Sequence, residues 1–130
     1  MGTMSIDVAG IRSATSVAGA RGSTREFLDR LQRPAVVADA ADTVILAVSE
    51  LVTNALRHGG GTCTLELTAH PESIEVSVHD RSPKAPRMRT PDLNDGTGGF
   101  GWSMVNRLAR ATAVTRGTSG GKTVSALFAR

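Results

Sequence analysis

Glu50 and Asn54 stand four apart in a stretch of helical periodicity, so their side chains point the same way. A carboxylate beside an amide oxygen suits hard-cation chemistry: the amide ligates Mg²⁺, and the carboxylate orients or deprotonates a nucleophile. The same pair also fits a solvated helix face, although Asn disfavours helix interiors. Asp80 is the second candidate. It shares parity with Ile74, Val76 and Val78, which turns its carboxylate toward the apolar side of a strand, where an unpaired charge is costly. It needs a partner, and a ligand amino group such as that of adenine would serve; capping of the following turn is the alternative. The third candidate is the run Gly96-Thr97-Gly98-Gly99-Phe100-Gly101, which precedes a helical pattern. Small residues let backbone N–H groups approach an anion, and a helix N-terminus adds a favourable dipole. A flexible connector is the other explanation. No Lys-Ser/Thr pair follows these glycines and no parallel βαβ unit surrounds them, which excludes two common phosphate loops.

Recognisable elements must hold these residues. An edge strand is expected near Met4–Ile11. Ser16 is a plausible N-cap for a helix through Ala20, Thr24, Phe27, Leu28 and Leu31, with Pro34 ending it. Asp42 is a plausible cap for the strongest helix, where Val44, Val48, Leu51 and Ala55 form one stripe. Ala47, Glu50, Asn54 and His58 form a second stripe beside it, and Gly59 to Gly61 stop the helix. Two alternating strands follow, Thr62–Ala69 and Ser73–Asp80, each apolar on one side only. That pattern predicts an antiparallel sheet covered by helices on one face. Residues 81–99, with Pro83, Pro86 and Pro91, read as a long loop of a functional or mobile kind. A helix is expected over Trp102–Arg110, then strands Thr112–Thr118 and Lys122–Ala129 joined by a hairpin at Ser119-Gly120-Gly121.

Composition narrows the function classes. A chain of 130 residues suits a single domain. With aromatics at only 3%, the core must rest on Val, Leu, Ile and Ala. The net charge of +3 comes from scattered basic residues without aromatic interleaving, which is poor support for a nucleic-acid platform. His58, His70, His79 and Cys63 show no metal-ligand spacing. The single Cys63 cannot form an intramolecular disulfide and suits a reducing cytoplasm; mid-strand on an apolar face, it reads as a buried structural thiol. No apolar run approaches the roughly 18 residues of a membrane span. No basic segment followed by an apolar run opens the chain, so no signal peptide is expected.

The order of these signals is more specific than any one of them. Ser49-Glu50-Leu51-Val52-Thr53-Asn54-Ala55-Leu56-Arg57-His58-Gly59 resembles the N box of the GHKL ATPases, and most of all that of the anti-sigma-factor serine kinases. Val78-His79-Asp80 resembles the next box, Gly99-Phe100-Gly101-Trp102-Ser103-Met104-Val105 the glycine box after the ATP lid, and Gly121-Lys122-Thr123-Val124 the last. The family's Asp-x-Gly-x-Gly departs here to Asp80-Arg81-Ser82-Pro83-Lys84, without glycine.

The resemblance implies the Bergerat fold, an α+β two-layer sandwich with a mixed, largely antiparallel sheet and helices on one face. It places the domain at residues 16–130, after a flexible N-terminus or short edge strand at 1–15, with the lid at about 81–99. It implies ATP and Mg²⁺ as cofactors. Asn54 would bind the metal and Glu50 would act as catalytic base. Asp80 would accept from the adenine amino group, Gly99 and Gly101 would face the phosphates, and Thr123 would support the Asp80 end. Arg57 and His58 would assist; Arg87 and Arg89, by location alone, lie in the lid where they could reach the γ-phosphate. The implied function is a cytoplasmic serine/threonine kinase that phosphorylates an anti-sigma antagonist and acts on transcription through a sigma factor. Its relatives are commonly dimeric. The alternative is a nucleotide-gated protein-binding module without kinase activity, and a basic nucleic-acid-binding domain is a distant third reading.

Overall fold

The computed structural model describes residues 2–9, 13–31, 35–58, 61–82, 101–117 and 120–130. Along the chain run β1 (Thr3–Ala9), α1 (Ser13–Arg30), α2 (Ala38–His58), β2 (Thr62–Ala69), β3 (Ser73–Asp80), α3 (Gly101–Leu108), β4 (Ala111–Arg116) and β5 (Lys122–Ala129). The strands form one sheet in the order β1-β2-β3-β5-β4, antiparallel at each of its four ladders. The three helices form the second layer: α1 lies against β1, α2 against β2, β3 and β5, and α3 against β5. This is the α+β sandwich expected from strands that are apolar on one side.

The alternation of β2 and β3 does the sorting. Cys63, Leu65, Leu67 and Ala69, with Ile74, Val76 and Val78, are buried against the helices. From α2, Val44, Val48, Leu51, Val52 and Ala55 meet them, and Phe128 of β5 is among the largest fully buried side chains. Each such Val, Leu or Phe is worth about 1.5–3 kcal/mol of burial, so this seam fixes which face of every strand is covered. Thr24 is fully buried within α1, and its hydroxyl is satisfied by donating to Ala20 O at 2.8 Å.

Three strands, β2, β3 and β5, have the expected limits. The helix starts differ. Ser16 lies inside α1, which begins at Ser13, so the domain limit expected at residue 16 also falls within that helix. Asp42 is not a cap, because α2 begins a full turn earlier at Ala38. Nothing between Ala38 and Asp42 breaks a helix, and Asp39 in the first turn already meets the positive end of the dipole. β1 pairs along its whole length with β2 and buries Val8, so the N-terminal strand belongs to the sheet.

Candidate functional site at the β3–β5 end of the sheet

The connections bring several candidates to one end of the sheet. The last turns of α2 lead by way of Gly61, held at φ 84° where glycine is favoured, into β2. Cys63, the second residue of β2, is the register partner of Asp80, and Asp80 in turn pairs with Lys122 at the start of β5. The end of α2, the start of β2, the end of β3 and the start of β5 therefore share one rim. At the opposite rim, Arg110 N donates to Leu127 O at 2.7 Å and fixes the chain just after α3. The eight residues of α3 set Gly101 about 11 Å from Leu108 along the helix axis.

Glu50 and Asn54 are both half-buried on α2, one turn apart and bordered by the buried Leu51, Val52 and Ala55. Their oxygens are the donor type a hard cation takes, so the pair fits Mg²⁺. Arg57 is exposed on the same helix, and His58 is its last residue. Gly99, Arg87, Arg89 and the expected lid beyond residue 82 lie outside the described residues.

Asp80 is buried, as its parity requires, and its partner comes from the chain itself. Lys122 Nζ lies 3.0 Å from Oδ1 and 3.0 Å from Oδ2. Ser82 N donates to Oδ1 at 2.8 Å, so Asp80 also caps the turn that follows it. That turn closes without the glycine seen in the family's Asp-x-Gly-x-Gly. Gly121 is required nearby, because a Cβ there would collide with the carbonyl oxygen of Asp80. Beside the pair is a cavity of about 470 Å³ lined by Asp7, Val8, Thr62, Cys63, Thr64, His79, Asp80 and Arg81. Glu50 and Asn54 are not among that described lining, so this cavity does not join the α2 pair to Asp80. Burial, then the charges of Asp80 and Asp7, push the Cys63 thiol up to about 11, so it is an inert thiol rather than a nucleophile.

Thr123 requires a correction. It pairs with His79, not Asp80, and its hydroxyl shares a hydrogen bond with His79 Nδ1 on the uncovered face of the sheet. Adjacent residues of a strand point to opposite faces, so Thr123 cannot support the Asp80 carboxylate. Lys122 occupies that place, and sequence reasoning passed over it. The signal was available: Lys122 shares parity with Val124, Ala126 and Phe128, a cation on an apolar face just as Asp80 is an anion on one.

An antiparallel sheet with one covered face, a polar pair on the helix before β2 and a buried strand-end carboxylate agree with a GHKL-type ATPase domain. The chain belongs to the histidine kinase-like ATPase domain family, which matches residues 12–128. Membership implies ATP as the ligand. Comparison with curated proteins gives no match. Among solved structures, the fold is similar to that in the SiaB–SiaC complex from Pseudomonas aeruginosa, with a TM-score of 0.53 and 12% identity over 98% of this chain and 89% of that one. The histidine kinase domain of the E. coli osmosensor EnvZ aligns with a TM-score of 0.49 and 17% identity, covering 99% of this chain and 89% of that chain. No described helix is long and apolar enough to cross a membrane.

Proposed function

We propose that this protein is an Mg-ATP-dependent serine/threonine kinase of the anti-sigma type, acting on an anti-sigma antagonist protein and, through it, on a sigma factor. The observation that carries the reading is the half-buried Glu50–Asn54 pair on the helix that leads into the Asp80 rim of an ATPase-family sandwich. The metal, when bound, supplies charge neutralisation on the phosphates. Asn54 would hold it, and Glu50 would take the proton from the attacking serine hydroxyl. Asp80 would receive the base. Gly99 and Gly101 would face the phosphates, with Arg57 and His58 assisting. Such transfer rests on positioning and charge neutralisation more than on covalent chemistry. SiaB was solved as a complex with SiaC, and a protein partner is proposed here by analogy. Cytoplasmic location and a homodimer belong to the same proposal.

The test is thermal unfolding with and without Mg-ATP, followed by phosphate transfer to a purified antagonist. A ligand at about a hundred times its Kd adds ~2.7 kcal/mol, enough to raise Tm by several degrees in a domain of this size. The shift should need Mg²⁺, and Asn54→Ala should abolish that dependence and the transfer. Transfer undiminished in Asn54→Ala would overturn the metal role. A Mg-ATP shift with partner binding but no phosphoserine would favour the nucleotide-gated module instead.

A further inference from the structure

The Asp80–Lys122 pair has a chemical consequence for the pocket. An ionised carboxylate only accepts hydrogen bonds and an ammonium only donates them. Of the roughly four acceptor positions on a carboxylate, three on Asp80 are used by its own chain: Ser82 N and Lys122 Nζ at Oδ1, and Lys122 Nζ again at Oδ2. The pair is closed off from solvent, with the Lys122 side chain 5% exposed and that of Asp80 2%. The 6-amino group of adenine is also a donor and seeks the same oxygens. The β3–β5 ladder runs as far as the Asp80 and Lys122 pair, so parting the strand ends to make room would break the end of that ladder. One acceptor position is left, on Oδ2, but with the carboxylate only 2% exposed an incoming donor reaches it by rotation of the four-carbon lysine stem, which the flexibility of that side chain permits.

We propose that Lys122 determines base recognition in this domain: it stands in for the amino group of the base at Asp80, and nucleotide binds in competition with it. The inference rests on the ATP reading above. Its consequence is a pocket that gains little from the 6-amino group while Lys122 is present. Affinity then comes from the phosphate and metal end, and discrimination among purines is weak.

The test is isothermal titration calorimetry in excess Mg²⁺ with ATP and with purine riboside triphosphate, which carries hydrogen in place of the amino group. The wild-type protein should bind the two within about fivefold of each other, because a donor competing with an ammonium adds little. Lys122→Met frees Asp80; it should bind ATP about tenfold more tightly than wild type and prefer it over the deaminated analogue by about ten- to a hundredfold, the range of a hydrogen bond to a charged group. A wild-type preference for ATP beyond about fivefold would overturn the proposal, and this arm needs no variant, so it decides the matter even if Lys122→Met does not fold. Lys122→Met binding ATP no more tightly than wild type would overturn it too. If neither protein binds either triphosphate, it is the ATP reading that fails, and the competition falls with it.

Discussion

The two faces of the sheet hold polar groups on different terms. On the open face, neighbouring strands pair side chains laterally: Thr64 donates to Asp7 at 2.8 Å, Ser77 and Ser125 hydroxyls meet at 3.1 Å, and Thr123 meets His79. His79 Nε2 in turn lies 3.4 Å from Glu66, a contact that becomes an ion pair when the imidazole is protonated. Asp7 is exposed and Thr64, Glu66, Thr123 and Ser125 are half-buried, so most of these contacts can be replaced by solvent when lost, while Ser77 and His79 Nε2 are buried within the row. On the covered face the described strands carry one ion pair, Asp80–Lys122, among Cys63, Val78 and Val124, and water cannot take the place of either partner. The same chemistry is therefore cheap on one face and consequential on the other. A pair kept in so unfavourable a place is where a binding role is most economically sought.

The comparison can be broken or sharpened by experiment. The largest effect should follow Asp80→Ala, which strands a buried ammonium and should cost about 3–5 kcal/mol in urea unfolding. Replacing both partners, Asp80→Leu with Lys122→Met, should recover most of that loss, because an apolar pair needs no desolvated charge. A double variant as unstable as the single one would mean that packing, not charge, governs the rim.

A smaller effect is expected from Cys63 on the covered side. Its folded pKa of about 11 lies above the ordinary value of 9.0, so between these pH values the unfolded chain loses the thiol proton while the native chain keeps it. This contribution is fully present below pH 9 and is lost as pH rises toward 11. Relative to Cys63→Ala, wild type should lose roughly 1–3 kcal/mol across that window. A difference independent of pH would mean that the thiol is not shielded as its burial requires. The smallest effect belongs to the open face: Thr123→Val removes the hydroxyl beside His79 and should cost less than ~1 kcal/mol. A cost equal to that of Asp80→Ala would abolish the distinction between the faces.

Much of this architecture was legible in the residues. The limits of Thr62–Ala69, Ser73–Asp80 and Lys122–Ala129 follow from alternation, strict in the first and broken by Leu127 in the last, bounded by glycine, proline and charge. The helix starts were less legible. Ser16 and Asp42 are good capping residues, but Ser13–Thr15 and Ala38–Ala41 form helix as readily and extend each one by about a turn. The polar pair Glu50–Asn54 was visible because helical spacing is local and its geometry does not depend on the rest of the chain.

What the sequence by itself determined is therefore the local order: periodicities, the polar pair on α2, and the parity that buries Asp80. Those follow from backbone geometry, which repeats over a few residues. Only the tertiary structure decided who satisfies Asp80. Between Asp80 and Lys122 lie a helix, a strand and a hairpin, and the register that sets Lys122 rather than Thr123 opposite the carboxylate arises from strand pairing across the sheet. A shift of one residue in that register reverses which side chain faces the core, and the burial of Val124, Ala126 and Phe128 beneath α2 and α3 is what holds the register with Lys122 inward.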